Sequence, residues 1–164
     1  MRSSLSEALP RSCVDWLARA GLTVTTSGTV VQLLEFGVQP RFSFDAAQVP
    51  LVVRRASERH AEAQTVLEGS RLIDVERWAI LLVAPDVRRR AGLDERGGPP
   101  DDRPAEGFEI EVRDRDLVVV DPTGVERLRF VGDATLPWEA QRFTHVADMA
   151  LEEIIGRLES DAGW

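Results

Sequence analysis

A chain of 164 residues is long enough to bury about 70% of the surface its unfolded form exposes, so it needs no staple to fold as one domain. Its single cysteine, Cys13, excludes an internal disulfide, and with only His60 and His145 beside it the usual Cys/His set for a zinc site is missing; neither metal nor cofactor is expected. A net charge of −8, with every basic residue an arginine, opposes binding to nucleic acid and favours solubility or a basic partner, and the want of any long apolar run or signal-peptide core predicts a cytoplasmic protein without membrane spans.

The first predicted element is an amphipathic helix over about 6–20, or from Pro10 if that proline takes the first helical position, stopped by Gly21. Short β-rich runs follow. Thr23–Thr25 and Val30–Phe36 flank a Ser27-Gly28 turn, and Arg41–Asp45 alternates with Phe42 and Phe44 on one face. Pro50–Arg55 and Glu62–Leu67 make two more strands across a polar connection, 56–61.

Next comes the best-bounded helix of the chain. Ser70 is placed to cap it and Pro85 to end it, which predicts a helix over Arg71–Ala84 with a short restart from Pro85 to Gly92. Leu72, Val75, Ala79, Leu82 and Val83 share one face, widened by Ile73, Trp78 and Ile80. Only Asp74, Arg77 and Leu81 fall in the remaining stripe. An apolar arc that wide predicts cover on more than one side.

The stretch 94–105 has three prolines and almost no apolar residues, and reads as a flexible loop inside one domain, 1–164. Phe108–Arg113, Leu117–Val120 and Val125–Val131 form an antiparallel meander, with Asp121-Pro-Thr-Gly124 as one of its turns. An irregular stretch over 132–141 leads to Thr144, which is placed to cap a last helix running to about Glu159; Gly156 within it predicts a tightly packed turn. The fold class is therefore α+β: a mostly antiparallel sheet of about seven or eight short strands, with N-terminal, central and C-terminal helices packed on it.

Chemistry is thin. Neither histidine sits in a motif, the Glu109 and Glu111 pair is what any solvated strand face shows, and Gly97-Gly98 precedes prolines instead of a phosphate-binding helix. Cys13 reads as a small, partly buried thiol on a helix, and Arg88–Arg90 as favourable charge at a helix end. Trp16 and Trp78 belong to the core; Trp138 and Trp164 stand between interface and local packing.

Taken in order, Trp16-Leu-Ala-Arg-Ala-Gly21, Arg41-Phe-Ser-Phe44, Arg54-Arg-Ala-Ser-Glu-Arg59 and the run Leu67–Trp78 resemble a family of small actinobacterial immunity proteins that includes the antitoxin of the tuberculosis necrotizing toxin. The likeness continues through Asp86–Leu93, Ala105–Ile110 and Leu117–Gly124, whereas 132–143 has no counterpart. The resemblance implies a non-catalytic protein that binds a cognate secreted toxin domain, there an NAD-hydrolysing one, as a heterodimer and blocks its active site. The contact residues expected on this reading are Glu7, Arg11, Ser57, Glu58, Arg59, His60 and Trp138. A secretion chaperone or adaptor, or a small-ligand-binding protein, is the alternative.

Overall fold

Successive strand residues point to opposite faces, so every strand with an apolar alternate row must find a cover for that row. In the computed structural model, which describes residues 8–37, 39–57, 60–132, 137–160 and 164, eight strands form one antiparallel sheet in the order β1-β2-β3-β4-β5-β8-β7-β6. They are β1 (Leu22–Ser27), β2 (Val30–Glu35), β3 (Gln39–Asp45), β4 (Leu51–Ser57), β5 (His60–Gly69), β6 (Glu109–Arg113), β7 (Asp116–Val120) and β8 (Glu126–Phe130). The helices among the described residues are α1 (Arg11–Arg19), α2 (Leu72–Arg90), α3 (Trp138–Thr144) and α4 (Leu151–Leu158). The α+β class and the antiparallel sheet are as the sequence predicts. Leu33, Phe42, Val53, Leu67 and Phe130 from the strands share one core with Trp16, Leu17, Ile80, Val83 and Ile154 from the helices.

The central helix α2 touches α1, α3, α4, β5 and β8, the many-sided cover its wide apolar arc required. Its ends differ from expectation. Ser70 does not cap it: Arg71 holds the N-cap position without a side-chain capping bond, and Ser70 Oγ instead donates to the Glu126 carbonyl. Nor does Pro85 end it. Proline withholds one amide and strains the preceding turn, but the turn beyond it is fastened from outside. Val87 is buried, and buried Arg88 donates to the carbonyls of Asp94 (2.6 Å), Leu158 (2.6 Å) and Ser160 (3.0 Å). Leu72 and Leu82, read from spacing as core positions, are only half-buried.

The narrow stripe of Asp74, Arg77 and Leu81 outside the apolar arc is also buried. Asp74 is fully enclosed, with Arg77 and Arg127 buried beside it. Arg127 grips both carboxylate oxygens, Nε to Oδ2 at 2.8 Å and Nη2 to Oδ1 at 2.9 Å, while Arg77 Nη1 reaches Oδ1 at 2.9 Å. Burial alone would raise the Asp74 pKa, but the hydrogen bonds and charges of Arg127 and Arg71 hold it below the usual carboxylate range.

The same two buried guanidiniums explain a second departure. In place of one long C-terminal helix capped by Thr144 there are two short ones, and Thr144 closes the first, donating to the Gln141 carbonyl. A continuous helix would give the carbonyls of Ala147 and Met149 to the amides of residues 151 and 153. Here Ala147 accepts from Arg127 Nη2 at 2.6 Å and Met149 accepts from Arg77 Nε and Nη2 at 3.0 and 2.8 Å. The chain therefore turns between the helices. Gly156, expected in a tightly packed turn, faces open space, with no atom within 4 Å of where a Cβ would lie.

The loop over 94–105 lies against the helices. The Ala105 amide donates to Thr144 Oγ1 at 2.8 Å, and His145 Nε2 is 3.0 Å from the Arg103 carbonyl. Gly97 and Gly98 let this loop pass close to two arginines: a Cβ on Gly97 would stand 2.1 Å from Arg88 Nη2, and one on Gly98 2.5 Å from Arg142 Nη2.

Two stability outcomes follow. Asp74→Ala removes the ion-pair partner of buried Arg77 and leaves Arg127 with only Asp148 and Asp121, and is expected to cost about 3–5 kcal/mol in urea unfolding. Gly156→Ala removes a helix-weakening residue where nothing obstructs a methyl group; a gain of about 0.5–1 kcal/mol is expected, and a loss would show that this turn is packed after all.

Candidate interaction surface

Antiparallel pairing decides which turns stand together. Leu22 pairs with Glu35 and Ser57 with His60, so the entry to β1, the β2–β3 turn and the β4–β5 turn all leave one end of the sheet. The β6–β7 turn leaves the same end further along, because Leu117 at the start of β7 pairs with Phe130 at the end of β8. The β3–β4 and β7–β8 connections occupy the opposite end. In the β2–β3 turn Phe36 has a φ of +53° and is 84% exposed. The predicted strand Val30–Phe36 thus ends one residue early, and Phe36 is turned out at its tip.

Beside the sheet, two adjoining hollows share Trp78, Leu82 and Glu139. One, of about 130 Å³, lies between α2 and α3 against Pro85, Trp138 and Arg142. The other, of about 310 Å³, opens between α2 and the overhanging β4–β5 hairpin, against Phe42, Arg55 and Gln64. Trp78 forms the wall between them. Its ring meets Phe42 edge-on at 5.5 Å, and its Nε1 donates to Glu139 Oε2 at 3.4 Å. Arg142 Nη2 donates to the Gly97 carbonyl at 3.4 Å, while its buried Nε has no partner among the described residues. Burial pulls the Arg142 pKa down, against the opposing charges of Asp101 and Glu139. The arrangement offers an aromatic wall with charges of both signs at its rim, which suits recognition of a polypeptide.

The sequence-predicted contact residues fall in different places. Ser57 and His60 pair across the β4–β5 turn at the hairpin end. Trp138 begins α3 and lines the smaller hollow, 42% exposed. Arg11 stands on the first turn of α1, outside both hollows, with Asp15 at 3.7 Å as a solvent-exposed neighbour. Glu7, Glu58 and Arg59 lie outside the described residues. Trp16 and Trp78 are core residues as expected, Trp16 Nε1 donating to the Ile80 carbonyl at 3.1 Å; Trp164 lies under the Arg157 guanidinium at 5.5 Å.

Two groups of chemical interest, Cys13 and Glu76, are enclosed. Burial, with the charge of Glu76, pushes the Cys13 thiol up to about 12, so it stays protonated near neutrality. Among the described residues no three His, Cys, Asp or Glu side chains are grouped to hold a metal ion. Burial also pushes the Glu76 carboxyl up to about 7, against the opposing charge of Arg77.

Residues 16–163 match the family described as Immunity protein 61. In structure the chain is similar to Rv3902c from M. tuberculosis, with a TM-score of 0.74 at 14% identity over 93% of this chain and 89% of that one, a likeness of fold. No curated protein matches it in sequence.

Because the folded pKa of Glu76 lies above its unfolded value, its favourable contribution is complete below about pH 4.5 and is lost as pH rises through about 7. Glu76→Gln is therefore expected to raise stability by about 2 kcal/mol at pH 8 and by little at pH 4.5, read from urea midpoints at the two pH values.

Proposed function

Since the chain belongs to the Immunity protein 61 family, we propose that it binds a cognate toxin domain as a heterodimer and inhibits it by covering the active site, without catalysing a reaction itself. The observation that carries this reading is the family match over residues 16–163. The enclosed Cys13 and the aromatic-walled hollows are compatible with a binding protein. A net charge of −8 suits a toxin with a basic surface, since opposite potentials speed encounter and suppress wrong pairings. The toxin is NAD-hydrolysing on this proposal, and the meeting takes place in the cytoplasm before export. Contact is made through the hairpin end that carries the turn from Ser57 through Glu58 and Arg59 to His60, and through Trp138, with Glu7 and Arg11 at the margin.

The test is co-expression with the toxin-like protein encoded beside this chain. Survival of the host, co-purification of a 1:1 complex and loss of NAD hydrolysis by the purified toxin are the expected results. Equal killing with and without this chain would overturn the assignment, and inhibition of a toxin that leaves NAD intact would overturn its finer part.

A further inference from the structure

Two residues other than glycine take the left-handed backbone conformation among the described residues, Phe36 at φ +53° and Asp114 at φ +58°. Each lies in a hairpin turn at the same end of the sheet. Aspartate tolerates that region because its short side chain bonds to the local backbone; a bulky aromatic residue has no such compensation. Phe36 is followed by Gly37 at φ +71°, and left-handed positions in hairpin turns are ordinarily filled by Gly, Asn or Asp. The ring gains nothing from the fold either, being 84% exposed. The fold thus bears a strained backbone and an exposed aromatic ring at one position, and neither contributes to stability.

We propose that Phe36 is the principal apolar anchor for the toxin domain, its ring entering an apolar hollow on that partner; this rests on reading the chain as an immunity protein. The ring is presented on a stiff support. Glu35 pairs with Leu22 of β1 on one side and Gln39 of β3 on the other, so the turn projects from three paired strands. An aromatic side chain with two rotatable bonds loses little freedom on docking. Among the described residues the other apolar side chains more than half exposed sit elsewhere, Val49 and Val125 in connections at the opposite end and Val112 on the edge strand β6. Charge argues against a second copy as the occupant. Tip-to-tip pairing would bring Glu35 against Glu35 in a chain of net charge −8, whereas a toxin with a basic surface meets no such repulsion.

The experiment compares the unaltered chain, Phe36→Asn and Phe36→Trp in melting temperature and in affinity for the purified cognate toxin domain. Phe36→Asn is expected to melt at the same temperature or higher and to bind at least about 30-fold more weakly, mainly through faster dissociation. Phe36→Trp is expected to keep affinity within about threefold. Binding by Phe36→Asn within about threefold of the unaltered chain would overturn the proposal and leave the immunity reading standing. Failure of the unaltered chain to bind the toxin would overturn both. Light scattering that shows Phe36→Asn converting a dimer to a monomer, with toxin affinity unchanged, would assign the ring to self-association and overturn the proposal.

Discussion

The buried carboxylate of Asp74 is the constraint on which the helical layer depends. A charge with no access to solvent must be met by opposite charge and hydrogen bonds, and Asp74 takes these from Arg127 on β8 and Arg77 on its own helix. Each arginine has donors left over, and they are satisfied by the carbonyls of Ala147 and Met149. Three parts of the chain, separated by dozens of residues, are thereby referred to one point. Asp148 at 3.0 Å and Asp121 at 3.6 Å complete the neutralisation of Arg127 toward the surface. A bidentate arginine–carboxylate pair tolerates little error in position. The cluster acts less as a source of stability than as a gauge that sets where α4 starts and how α2 meets the sheet.

That gauge also explains which parts of the fold were legible in the sequence. Strands could be read because alternation is local: Phe42 and Phe44, or Phe108 through Arg113, carry their own evidence of a buried face. Helix limits could not, because distant groups decide them. Nothing near Pro85 announces that Arg88 will be held by the carbonyls of Leu158 and Ser160, and nothing near Thr144 announces that two arginines will claim the carbonyls just beyond it. The burial of Asp74 and Arg77 is not legible locally because burial of a charge depends on its partner, and that partner stands 53 residues away.

Of the residues singled out for contact, the proline-flanked Trp138 stands 42% exposed beside the smaller hollow, and Ser57 and His60 pair at the end of the β4–β5 hairpin. The exposure of Phe36 was not legible, because its neighbours Val30–Leu34 extend a β-rich run to it. The available signal was the Phe-Gly pair itself, a residue type foreign to the left-handed position of a tight turn. The core sits between sheet and helices, while the turns hang from the sheet's end. Changes in partner preference can therefore accumulate at the turns without disturbing the packing that defines the family.

The sheet order has a kinetic meaning. β1 to β5 follow one another as neighbours, and so do β6, β7 and β8, but among the described residues the two runs meet through three register pairs, Leu67–Phe130, Glu68–Arg129 and Gly69–Leu128, with one more backbone bond from Val131 to Val66. Each run closes short loops and assembles from contacts close in sequence, whereas the seam between them must bring together segments some sixty residues apart. On contact order, joining these two locally closed ribbons is the step expected to be slow, and α2, which lies between them in sequence and touches β5 and β8, is the element placed to bring them together.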